Sequence, residues 1–98
     1  EPAANPYLYL ASQIYSGLDG IKNKYTPSTP VDAAYDTEAT PLPRSLEQAI
    51  LALKENPYFR EKFGNQFIDY ILHIKEAEVA RFLSTVTDWE HKEYFEIF

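Results

Sequence analysis

The sequence has no cysteine, no methionine and only three glycines among its 98 residues. The lack of cysteine excludes a disulfide scaffold and a thiolate metal site. Its apolar runs fall far short of the roughly 20 residues that a membrane-spanning helix needs. Basic residues are also few, nine against fifteen acidic ones, for a net charge of −6. This balance argues against nucleic acid or an anionic membrane as a partner, because both are bound through basic patches.

The chain begins at Glu1. An initiator methionine is normally trimmed only ahead of a small residue, so we expect Glu1 to lie inside a longer protein. Apolar residues make up 45% and charged residues 24% of the sequence, which is typical of a globular protein. A length of 98 residues allows one domain at most. We therefore expect a folded piece of a larger polypeptide.

The most ordered pattern runs from Asn5 to Lys24. Asn5 can accept hydrogen bonds from the first N–H groups of a helix, and Pro6 stands where a missing N–H costs nothing. Apolar residues then recur at steps of three and four, which predicts a helix lying on a core. Gly17 and Gly20 are predicted to mark where that helix ends or is overwound. The members of the apolar stripe are Tyr7, Leu8, Leu10, Ala11, Ile14, Tyr15 and Leu18.

Residues 4–8 and 17–24, reading ANPYL and GLDGIKNK, resemble the segment that follows the last active-site strand in catalytic domains of the glutamine synthetase family. A Tyr-Asp pair at residues 35–36 and the string PRSLEQA at 43–49 keep the order of that family. The resemblance covers essentially the whole chain. The tail at residues 86–95 is more similar to the γ-glutamyl-amine ligase branch than to the enzyme that uses ammonia.

The resemblance implies a cytoplasmic carbon–nitrogen ligase. In this family a metal-bound ATP phosphorylates the γ-carboxylate of glutamate, and ammonia or an amine then displaces phosphate. The residues that do this in the family lie before Asn5, outside this chain. We therefore expect no catalytic, metal-binding or ATP-binding residue here, with ATP and Mg or Mn needed only by the parent enzyme. Residues 1–98 would be the C-terminal helical segment of an incomplete α+β catalytic domain, inactive alone.

A proline-rich loop is predicted at residues 25–44. Loops of about 20 residues are uncommon inside compact domains and are usually functional or mobile. In some bacterial members of the family the tyrosine of the Tyr-Asp pair is a nucleotidylation site, and Tyr35 occupies the matching place. The next residues differ, since Asp36 leads into Thr37 instead of Leu-Pro. Tyr35 is thus a candidate modification site, with a plain packing or exposed tyrosine as the alternative.

Two helices are predicted after this loop. Ser45 begins the first, and Gln48 three residues later completes a capping box in which each side chain satisfies the other residue's backbone N–H. Asn56 followed by proline begins a short second helix that stops at Gly64. The buried stripe expected for the first consists of Leu46, Ala49, Ile50 and Leu53.

A long helix is predicted from about Asn65 to Thr85. Lys75 interrupts its apolar stripe; its stem can cover apolar surface while its ammonium group reaches water or a carboxylate such as that of Glu78. The other members of the stripe are Phe67, Ile68, Ile71, Leu72, Val79, Phe82, Leu83 and Val86. In all, the sequence predicts an all-α fold of about four to five helices.

The last predicted helix begins with a second capping box, from Thr87 to Glu90. It ends in aromatic residues that would form a large exposed apolar patch unless something covers them. The segment either folds back on the long helix or docks on another subunit. In bacterial members of the family the C-terminal arm reaches into the partner ring of a dodecamer, which implies oligomer contacts at Trp89, Tyr94, Phe95 and Phe98.

No arrangement of residues typical of an active site is present in the sequence. His73 and His91 stand 18 positions apart, with no carboxylate pattern to suggest a shared metal. Two hypotheses remain. In the first, the chain is scaffold and oligomer contact of a ligase, bound to a missing β-sheet and to neighbouring subunits, so the isolated chain should expose Tyr7, Leu10 and Ile14. In the second, it is an independent helical module that binds a protein partner through aromatic surface.

Overall fold

The computed structural model describes residues 3–32 and 40–97, and every structural statement below concerns this part of the chain. It contains helices and no strand there, which confirms the all-α class predicted from the sequence. The chain divides into two compact units, Glu1–Leu42 and Pro43–Phe98. The helices are α1 (Pro6–Asn23) in the first unit, and α2 (Leu46–Glu55), α3 (Pro57–Phe63), α4 (Asn65–Leu83) and α5 (Asp88–Tyr94) in the second.

Helix α1 begins as predicted and ends later than its glycines suggested. The Asn5 Oδ1 atom accepts from the N–H groups of Tyr7 at 3.0 Å and Leu8 at 3.2 Å. The helix continues through both glycines, because a glycine inside a helix costs only about 1 kcal/mol relative to alanine. The left-handed residue at its end is Lys24, with φ of 54°. The next N–H group, from Tyr25, donates to the Gly20 carbonyl at 3.0 Å and closes the last turn.

The second unit is built on a small core between α2, α3 and α4. Three side chains are buried, Ile50, Ile68 and Leu72. Partly buried apolar side chains from all three helices pack against them: Leu53, Phe59, Phe63, Phe67 and Val79. Each of the other two helices forms an ion pair with α4: Lys54 of α2 with Glu76, and Arg60 of α3 with Asp69.

The predicted caps of α2 and α3 are present, with one difference at α2. Ser45 Oγ accepts from the Gln48 N–H at 3.2 Å, as a capping box requires. The Gln48 side chain, however, accepts from the N–H of Arg44 at 2.8 Å, so it satisfies the residue before the cap. Asn56 accepts from the first two N–H groups of α3 at 3.0 and 3.2 Å, and Gly64 ends that helix with φ of 88°.

The predicted burial of two stripes is only partly correct. In α2, Ile50 is buried and Leu53 half-buried, whereas Leu46 and Ala49 are exposed. The first half of the α4 stripe lies on the core, whereas the last members, Phe82, Leu83 and Val86, are exposed.

Helix α4 ends at Leu83, two residues earlier than predicted, because the hydroxyls of Ser84 and Thr85 both donate to the Arg81 carbonyl. Such local bonds compete with the continuing helix.

Candidate interaction surfaces

The first candidate surface is an apolar face of α1. Its members follow one another at steps of three and four residues, so they lie on one side of the helix, over about 21 Å of its length. We call this surface the α1 flank; it consists of Tyr7, Leu10, Ile14, Leu18 and Ile21. All five side chains are exposed, for example Tyr7 by 81% and Ile14 by 62%. The opposite face of the helix is polar and carries Ser12, Ser16, Asp19 and Asn23.

Within the described residues the α1 flank lies on no core, which agrees with the expectation that the β-sheet it covers is not part of this chain. No residue of α1 is buried, and the stripe members Leu8, Ala11 and Tyr15 are only half-buried. Periodicity shows that a helix is amphipathic but does not show what covers its apolar face. A continuous apolar stripe of this kind marks a surface that packs against something else.

The second candidate surface is the C-terminal segment, which we call the aromatic end: Trp89, Tyr94, Phe95 and Ile97. All four side chains are exposed. The rings of Trp89 and Tyr94 meet edge to face with centroids 5.9 Å apart, and Phe95 packs on the His91 ring at 4.6 Å. Three of the residues predicted to make oligomer contacts therefore lie on one short segment. The fourth, Phe98, lies outside the described residues.

Helix α5 carries the predicted N-terminal cap in altered form. The Thr87 hydroxyl accepts from the Trp89 N–H at 3.4 Å and donates to the Glu90 carboxylate. That hydroxyl, together with a backbone hydrogen bond, lowers the pKa of the Glu90 carboxyl below its ordinary value. The cap keeps the carboxylate ionised at the positive end of the helix, where negative charge is favourable.

The third surface is a groove that the sequence did not reveal. The first turn of α2 and the last turns of α4 line a space of about 320 Å³, with Leu46, Val79, Phe82 and Leu83 supplying its apolar wall. Glu47 and Glu78 also line it. The sequence gives one indication of this groove, the apolar residues at the end of the α4 stripe. That they face the first turn of α2 follows only from the packing of the two helices.

The Lys75–Glu78 contact beside this groove was predicted and is confirmed. Lys75 Nζ donates to Glu78 Oε2 at 2.7 Å. This hydrogen bond, and then the charge of Lys75, lowers the pKa of the Glu78 carboxyl below its ordinary value of 4.5. The pair is half-exposed, so its net contribution to stability is small.

Of the two histidines considered in the sequence, His91 lies against Phe95 of the aromatic end, whereas His73 lies on α4. His73 and His91 are both exposed. Within residues 3–32 and 40–97, no three histidine, aspartate or glutamate side chains are placed to hold a metal ion. The helices of that same part are all too short or too polar to cross a membrane. Tyr35, the candidate modification site, lies outside the described residues.

Comparison with known proteins gives matches along nearly the whole chain. Residues 1–94 match the family described as the catalytic domain of glutamine synthetase. The chain is 46% identical to a gamma-glutamylanilide synthase of Acinetobacter, an alignment that covers 99% of this chain and 22% of that protein. It is 35% identical to the glutamine synthetase of Staphylococcus aureus strain MRSA252 and 33% identical to that of Methanococcus maripaludis, over 96% and 99% of this chain. These alignments cover 23% and 24% of the two enzymes, and no solved structure matches significantly.

Proposed function

The chain belongs to the glutamine synthetase catalytic-domain family, and from this premise we propose that it is the C-terminal helical part of an ATP-dependent ligase that joins glutamate to ammonia or an amine. The chain spans between 22% and 24% of the length of the relatives it matches. The phosphorylation of glutamate and the attack of the amine would then be carried out by the remaining part of the enzyme, which would also bind ATP and Mg or Mn. The role of this chain is structural.

The exposed α1 flank carries this proposal. Complete burial of one leucine or isoleucine side chain stabilises a protein by about 1.5–3 kcal/mol. Five exposed apolar side chains on one face therefore leave a large stabilisation unused. In an α+β domain such a face is buried on a β-sheet. We infer that the α1 flank lies on the active-site sheet of the parent enzyme and fixes the position of that sheet.

The aromatic end supplies the second part of the proposed role. Tyrosine, tryptophan and phenylalanine are among the residues enriched at subunit interfaces. We propose that Trp89, Tyr94 and Phe95, with Phe98, contact a neighbouring subunit of a homo-oligomer, as in the dodecamers of bacterial members of the family.

The identity of the nitrogen donor is the finer part of the proposal. Sequence identity to the gamma-glutamylanilide synthase, at 46%, exceeds the 33–35% identity to the two glutamine synthetases. Aniline is an aromatic amine, and we propose that the parent enzyme prefers such an amine to ammonia. Glutamate-dependent phosphate release by the parent enzyme, measured with aniline and with ammonium, checks this. Equal or faster turnover with ammonium would place the enzyme with the glutamine synthetases.

The alternative function is that of an independent helical module that binds a protein partner, because exposed aromatic residues are typical of such modules too. The reading frame upstream of Glu1 distinguishes the two. Sequence that encodes the β-sheet and metal-ligand glutamates of the family supports the ligase, and a short linker or a native start supports the module.

The structural role is tested by two substitutions in the parent enzyme. Ile14→Asp places a charge on the α1 flank, and Ser16→Asp places the same charge on the polar face of the same helix. We expect the first to abolish phosphate release that depends on ATP and glutamate, and the second to leave at least half of it. The isolated chain should release no phosphate. Equal activity of the two variants, or turnover by the isolated chain, would overturn the proposal.

A further inference from the structure

We draw no further inference here: the strongest candidate, the apolar groove between the first turn of α2 and the last turns of α4, lined by Leu46, Val79, Phe82 and Leu83, carries none because nothing in the structure shows what covers it.

Discussion

Arg60 and Asp69 form an ion pair across the turn between α3 and α4, with Arg60 Nη1 donating to Asp69 Oδ1 at 2.6 Å. The single residue between the two helices is Gly64, which has φ of 88° and ψ of 146°. That conformation is open almost only to glycine. The angle between α3 and α4, and with it the packing of Phe59 and Phe63 on the core, therefore depends on one residue without a side chain.

The conformation of Gly64 makes its replacement costly for a backbone reason alone. A Cβ atom at this position would meet no other atom within 4 Å, so Gly64→Ala introduces strain without a clash. We expect a loss of about 1–3 kcal/mol in the free energy of opening of α3 and α4. Residue-resolved amide hydrogen exchange measures it.

Gly17→Ala is the matched control for this measurement. Gly17 lies inside α1, and a Cβ atom there also meets nothing within 4 Å. The substitution should slow amide exchange in α1, in line with a gain of about 0.5–1 kcal/mol. If Gly64→Ala left amide exchange in α3 and α4 unchanged, the turn at Gly64 would accept a side chain without strain, against our expectation.

The core of the second unit should depend strongly on its few buried residues. Ile68 is only 3% exposed, whereas Ile74 in the same helix is 38% exposed. Ile68→Ala should lower the free energy of unfolding by about 2–5 kcal/mol, because it removes buried methyl groups and leaves a cavity. Ile74→Ala should cost well under half as much. Urea denaturation of both variants measures the difference, and equal losses would contradict the position of the core.

How much of this structure the sequence predicts depends on the range of the interaction involved. The starts of four helices follow from local chemistry: the caps at Asn5, Ser45, Asn56 and Thr87 were all predicted from residues within three positions of one another. The contact from Lys75 to Glu78 was predicted for the same reason. Each of these bonds joins residues within four positions of one another, so the sequence itself brings the partners together.

The features that the sequence did not predict are the end of α1 and the contacts between a helix and other parts of the molecule. Gly17 and Gly20 permit a helix end but do not impose one, and Lys24 takes the left-handed conformation instead. The α1 flank was correctly placed on one face, and its exposure agrees with the expectation of a missing β-sheet, but periodicity alone carries no information about what covers it. The groove at Phe82 and Leu83 depends on where α2 meets α4, which local patterns do not contain.

The pKa of Glu78 gives a prediction about pH. Its value in the folded chain is lowered chiefly by the hydrogen bond from Lys75. A carboxyl with a lowered folded pKa favours the folded state at pH values above about 4.5, and this contribution is lost as the pH falls through the folded value. In Lys75→Met the pKa of Glu78 should rise toward 4.5, as a carbon-detected NMR titration would show.

Arg81→Gln is the comparison for that titration. The charge of Arg81 is the weakest of the influences that lower the pKa of Glu78, so this variant should shift it less than Lys75→Met does. A larger shift in Arg81→Gln would mean that the Lys75 hydrogen bond is not formed in solution.

The exposed α1 flank predicts association of the isolated chain. Leu10 and Ile14 are both more than half exposed, and apolar surface of this extent binds hydrophobic dyes and other copies of itself. The double variant Leu10→Ser with Ile14→Ser should bind less dye and sediment as smaller species. Gln13→Ser with Ser16→Ala changes residues outside the flank and should change neither measurement. A wild-type chain that is strictly monomeric and binds no dye would contradict the proposed role of the flank.

The aromatic end predicts a defect in assembly that is separate from folding. Trp89 is 59% exposed, and its ring contacts Tyr94 on the same short segment. In the parent enzyme, Trp89→Ala should therefore reduce the size of the oligomer in sedimentation velocity while leaving the thermal unfolding of the separated subunits nearly unchanged. Truncation of a tryptophan that is a hot spot of an interface costs about 2 kcal/mol or more, which corresponds to a thirtyfold weaker association. Lys92→Ala, on the same helix with only a 3.9 Å contact to Asp88, should leave the oligomer intact. If Trp89→Ala assembled normally, Trp89 would not lie at a subunit contact, and its proposed role would be wrong.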